Sequence, residues 1–271
     1  MTIPNYDGVP NNNPAARLHA ALVAFRNQGL SSGGSTLAVV WAKVFAFPPT
    51  DVDAIFSLVA DLRATARQVR ALVEPHGDMP AGLFLKHFAR IEKLLNATNL
   101  DADWRGFDAS VDQLALEALE FTAYGLSRSH PEATIDDEEL AAARAELEDA
   151  YQAVRETSID ATAKQALLSI LDAMQDALRR YRTIGIDAFW QALSGALADI
   201  LAMRPADQVE TTEASDAPSW KSKVTAVLVR LDVYAARAKS GHSLFTSLRA
   251  IARDSGLLKL LPGSSEGGTA I

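Results

Sequence analysis

Few residues in this chain could do chemistry, and they are scattered. No cysteine occurs, which excludes thiolate catalysis, disulfides and Cys-ligated zinc together. The five histidines, His19, His76, His87, His130 and His242, show neither the Glu-x-x-His nor the His-x-x-x-His spacing that would aim two metal ligands from one helix face. His76, Asp78 and His87 are close enough in sequence to meet around one loop. Nothing beside them supplies the orienting second layer that metal ligands need, so they read as surface residues and no metal is expected. Phosphate-binding Gly-x-x-x-x-Gly-Lys loops, Gly-x-Ser-x-Gly elbows and kinase signatures do not occur, and Gly33-Gly34 has no Lys after it. No cofactor is expected on these grounds.

One spacing points to catalysis. Arg70 and His76 are separated by five residues, and Arg63, Arg67 and Arg70 form a basic row on the same segment. The pair resembles the Arg-x4-6-His motif of HEPN ribonucleases, which are also helical bundles. That resemblance implies Arg70 and His76 as the catalytic pair, with the arginine row gripping phosphate. Pro75 stands directly before His76, where the family's helix would continue, and Arg237 with His242 matches the same loose pattern. Read from the residues alone, the row is the solvated flank of a helix.

Charge is a stronger signal than any motif. The chain carries a net charge of −8, and between Ser219 and Leu261 eight Lys or Arg face two Asp, so this stretch is +6 and the remainder −14. Within it Trp220, Val224, Val227, Leu231 and Tyr234 recur at helical spacing, and Leu244, Leu248 and Ile251 do so beyond a break near Ser240-Gly241. A cationic amphipathic helix suits an acidic protein surface or anionic lipid. The candidate partner- or membrane-binding residues are Trp220, Lys221, Lys223, Arg230, Tyr234, Arg237, Lys239, Phe245, Arg249 and Arg253. The alternative is that these helices complete and neutralise an acidic bundle.

The elements that must position such residues are helical. Ala and Leu are abundant, with 15 Gly and 11 Pro in 271 residues, and the long apolar patterns have period near 3.6. The most explicit stretch runs from Ser158 to Met203. There Leu167, Leu171, Met174, Leu178 and Tyr181 line one face, Gly185 is placed to end the helix at positive φ, and Asp187 is placed to cap a second helix carrying Phe189, Trp190, Leu193, Leu197, Ile200 and Leu201. With Gly185 as the residue after the cap, Ile186 and Tyr181 would make the contact of a Schellman ending. The segment is similar to a helix, Tyr-x-x-x-Gly, helix arrangement found in uncharacterised bacterial all-helical proteins, and that resemblance implies no activity.

Upstream, a helix from Pro14 with Leu18, Leu22 and Phe25 is expected to close at Gly29, and Thr36 to Phe47 reads as a short buried helix. Thr50 and Asp53 look like the capping pair of a helix whose seam is Val52, Ile55, Val59, Leu62, Ala66, Val69 and Val73, ending at Pro75. One helix is expected over 81–97 with Phe84, Phe88, Ile91 and Leu95 inward. Another should run from Ala109 to a stop near Gly125 with Val111, Leu114, Ala118 and Phe121 inward, leaving Trp104 and Phe107 without an assigned place. The acids of Asp136-Asp-Glu-Glu139 suit the first turn of the next helix, whose stripe is Leu140, Leu147, Tyr151 and Val154.

The expected protein is therefore all-α, a multi-helix bundle of antiparallel helices with a C-terminal helical region. It divides into a flexible lead (1–13), an acidic bundle (14–203), an acidic linker (204–218), a basic amphipathic region (219–261) and a flexible tail (262–271). The first residues show no secretory pattern and no apolar run is long enough to span a bilayer, which points to a cytoplasmic protein of bacterial type. The functional expectation is a non-enzymatic interaction or regulatory protein that binds a protein partner or itself rather than nucleic acid. Its alternatives are a membrane-active defence or toxin effector and a HEPN-like ribonuclease.

Overall fold

Side-chain oxygens start most of the helices. The computed structural model describes Val9, residues 11–158 and 161–185, Ala188 and Val227, the side chains at 162, 163 and 166 excepted. Among these residues the protein is mostly helical and has no named strand, the one β-bridge joining Thr36 and Asp103. The helices are α1 (Pro14–Ser32), α2 (Leu37–Phe45), α3 (Val52–Val73), α4 (Ala81–Phe84), α5 (Phe88–Leu94), α6 (Gln113–Ser129), α7 (Asp137–Glu156) and α8 (Ala161–Ile184). Two 3-10 turns, Ala97–Asn99 and Trp104–Ser110, connect α5 to α6. Asn13, Thr36, Asp51, Asp112 and Asp136 each accept from a backbone N–H three residues on, which satisfies one of the donors that a helix start leaves unpaired. At α7 the reciprocal bond is also present: Glu139 N–H donates to Asp136 at 2.7 Å and Asp136 N–H donates to the Glu139 carboxylate at 3.4 Å.

The described residues fall into two compact units, one of those up to 134 with 180–185 and one of those from 135 to 179 with Ala188 and Val227. In the first unit α1 packs against α2, α3 and α6. Leu18, Leu22 and Phe25 are fully buried, the Phe25 and Trp41 rings lie 4.4 Å apart, and Phe45 stacks on Trp41 at 5.6 Å. Thr36 to Phe47 thus supplies a buried helix, as its apolar run predicts. The α3 seam is buried from Ile55 to Val73. Val52 is exposed, because Asp51 rather than Thr50 caps the helix and leaves Val52 on its first, uncovered turn.

Three other expectations change, each for a packing reason. The 81–97 stretch is not one helix: a turn at Leu85–His87 divides it into α4 and α5, although Phe88, Ile91 and Leu95 are buried as expected. Gly29 and Gly125 do not end their helices. Each is an interior notch, where an added Cβ would lie 2.7 Å from the Trp104 ring and 2.6 Å from the Met79 methyl respectively. The notch at Gly29 is also where Trp104 belongs, its Nε1–H donating to Gly33 O at 2.6 Å. Phe107 is buried nearby in the chain, with the Lys93 ammonium 5.8 Å from its ring centre. The third change, the face of α6, bears on function and is taken up below.

In the second unit α7 buries Leu140, Ala143, Leu147, Ala150 and Val154, and α8 buries Leu167, Leu171, Met174 and Leu178. Arg144 donates to Leu178 O at 3.3 Å, joining the two helices by a bond that no apolar pattern shows. The final turn of α8, Arg180 to Gly185, belongs to the first unit. Gly185 has φ of +71° and its N–H donates to Tyr181 O at 2.7 Å, the single bond of a left-handed helix ending. The Schellman contact expected of Ile186, and the second helix from Asp187, lie outside the described residues apart from Ala188, which is helical and buried.

Candidate functional site

The first unit contains a charged, hydrogen-bonded seam. Arg180 donates through Nε and Nη2 to the two Asp61 oxygens at 2.6 and 2.7 Å, a two-pronged pair with both side chains largely buried. One turn along α3, the Thr65 hydroxyl lies 3.0 Å from Asp61 O and 2.9 Å from Thr183 O. Arg17 pairs with Glu132 and donates to Ile184 O at 3.4 Å, so its guanidinium sits on the C-terminus of α8, where cations are favoured. A Cβ at Gly185 would meet that guanidinium at 2.7 Å. The acids of this seam, Asp61 and Glu132, are each paired with an arginine of it.

The sequence-derived catalytic pair is placed differently. Arg70, in the last turn of α3, extends Nη2 to Glu92 at 3.0 Å and Nη1 to Glu74 at 3.9 Å. Its guanidinium is engaged by carboxylates. His76 follows the helix end, with N–H donating to Val73 O at 3.0 Å, and its ring meets His130 at 6.0 Å. His87 lies against Arg90, and burial followed by the Arg90 charge lowers its pKa. Among the described residues no three His, Asp or Glu side chains are grouped to hold a metal. His19 is buried in α1, and desolvation pushes its pKa down to about 4. His242 and the ten residues assigned to partner or membrane binding, from Trp220 to Arg253, lie outside the described residues. Within that basic segment only Val227, the middle of its apolar stripe, is described: it is helical and 3% exposed.

The feature that spacing placed on the wrong side is on α6. Leu114 and Phe121, expected inward, are 63% and 66% exposed, while Ala115, Leu116, Leu119, Thr122, Ala123 and Leu126 are buried. The helix carries two apolar rows, and the buried one contains the smaller residues. Ala115, Thr122 and Ala123 allow a close approach between α6 and α1, and Asn13, buried at the start of α1, donates Nδ2–H to Ala123 O at 2.9 Å. That bond needs α1 against this face of α6. The outer face then presents Leu114, Glu117, Phe121, Tyr124 and Arg128 at positions three, four and seven apart. No helix among the described residues is long and apolar enough to cross a membrane. No protein family, curated protein or solved structure matches the chain.

Proposed function

We propose that this is a non-enzymatic helical interaction protein: a cytoplasmic, bacterial-type antiparallel bundle over 14–203, linked through 204–218 to a basic helical region at 219–261 that docks on acidic protein surface. The observation that carries the reading is the outer face of α6. Two large apolar side chains seven residues apart, both about two-thirds exposed, form a helix-width strip with charged neighbours, the composition of a docking surface rather than of a solvated helix face. Val227 adds support, because a buried residue at the middle of the basic stripe fits a helix whose apolar side is covered by protein. The engagement of Arg70 by Glu74 and Glu92 weighs against Arg70 as the arginine of the ribonuclease reading.

Charge attraction predicts the test. In the full chain, replacing Lys221, Lys223, Arg230 and Arg237 by Gln should lower the urea midpoint at low salt and flatten its dependence on salt between about 10 mM and 150 mM, since screening acts over roughly 8 to 30 Å in that range. A wild-type midpoint that does not move with salt would remove charge docking from the proposal. Co-sedimentation with anionic vesicles would favour the membrane-active alternative, and RNA degradation lost on His76→Ala the nuclease.

A further inference from the structure

The outer face of α6 reads the same in both directions. Glu117, Phe121, Tyr124 and Arg128 follow one another at spacings of four, three and four, so they form one narrow seam about 16 Å long at 1.5 Å per residue. Phe121, Tyr124 and Arg128 are exposed, Glu117 is half-buried, and Leu114 extends the apolar edge. The order along the helix is acid, aromatic, aromatic, base. Turned end for end, it becomes base, aromatic, aromatic, acid.

A two-fold axis crossing α6 between Thr122 and Ala123 therefore places each member of the seam opposite its complement. Glu117 meets Arg128 of the second molecule, Phe121 meets Tyr124, and the same two contacts recur on the other side of the axis. Such self-complementarity is what an isologous contact requires, since every residue pairing must hold in both directions. A parallel arrangement would set Glu117 beside Glu117 and Arg128 beside Arg128, and like charges would oppose it. Among the described residues Glu117 accepts a surface bond from the Gln113 amide at 2.9 Å, which an arginine could replace. We propose that the chain associates with a second copy of itself through an antiparallel α6 pair centred between Thr122 and Ala123. This rests on the reading of α6 as a docking surface and names the occupant.

The experiment is sedimentation equilibrium on the full chain at low and physiological salt, with circular dichroism to establish that each variant is folded. The wild type should show a concentration-dependent dimer. Phe121→Ser should weaken it about tenfold or more, the scale of a buried aromatic anchor. Glu117→Arg and Arg128→Glu should each weaken it about three- to tenfold, as expected when two exposed ion pairs turn repulsive. The double variant Glu117→Arg/Arg128→Glu restores both pairs in reversed sense and should recover wild-type association. A wild-type chain that stays monomeric at several hundred micromolar overturns the dimer, and leaves the salt test of the basic region to judge the broader reading. A dimer indifferent to Phe121→Ser, or a double variant no better than the singles, overturns this interface.

Discussion

Along α3 the row Ile55, Val59, Leu62, Ala66, Val69 and Val73 lies in the core, whereas along α6 the comparable row Leu114, Ala118 and Phe121 leaves its two large members exposed. Both rows have the spacing of a helix seam. The difference lies on the other side of each helix. Around α3 the side away from the seam carries Asp53, Ser57, Arg63, Arg67 and Gln68, with Phe56 on it half-exposed, whereas Leu58, Asp61 and Thr65 flank the seam and are buried with it, so the polar side stays in water. Around α6 the rival row of Ala115, Leu119, Ala123 and Leu126 is also apolar, and its small members admit α1 more closely than Phe121 would. A helix with one apolar face states its orientation; a helix with two leaves the choice to its neighbour.

The largest test of this contrast falls on the buried side. Asp61, on α3, forms the two-pronged pair with Arg180, and Asp61→Ala would leave a largely buried guanidinium without its carboxylate. The expected loss is about 3 to 5 kcal/mol by urea denaturation. A loss below about 1 kcal/mol would mean that the pair is not buried in solution.

A pH measurement comes next and concerns α1, which packs against both helices. The folded-state pKa of His19 is about 4, below the ordinary 6.5, so between these values the unfolded chain holds a proton that the folded chain excludes. Stability is therefore fully present above pH 6.5 and falls as pH drops toward 4, by up to about 3 kcal/mol from this group. His19→Gln should show a flatter stability profile between pH 7.5 and 4.5. Parallel profiles would place His19 in water.

A smaller and more discriminating effect separates the two glycine notches. At Gly29 an added methyl would meet an indole held by its bond to Gly33 O, so Gly29→Ala should cost about 1 to 2 kcal/mol through overpacking. At Gly125 the obstacle is the flexible end of Met79, which can swing aside, and better helix propensity offsets the adjustment. Gly125→Ala should therefore be neutral within about 0.5 kcal/mol by the same assay. Equal losses would show that the rigidity of the partner does not decide the outcome. At protein concentrations low enough for the chain to be monomeric, the smallest stability effect is expected for Phe121→Ser, within about 0.5 kcal/mol, because in the single chain that ring is already in water. A destabilisation of 2 kcal/mol or more, the size expected for a core phenylalanine, would put the outer face of α6 inside the fold after all.

The sequence alone determined the features that a few neighbouring residues decide. Helix period, the acidic helix start at Asp136 to Glu139, the buried short helix at Thr36 to Phe47 and the left-handed ending at Gly185 were legible because each is governed by side chains within a turn or two of one another. What only the tertiary structure decided were the contacts between residues far apart in the chain. Gly29 and Gly125 resemble helix stops in sequence just as Gly185 does, yet they are interior because Trp104 and Met79 fill the space that a Cβ would take. Likewise, no local pattern pairs Asp61 with Arg180 or selects which apolar row of α6 turns inward. Periodicity reports that a helix has faces, whereas the volume and hydrogen-bonding groups of the opposing helix decide which face is covered, and here Asn13 and the small residues of α6 made that choice.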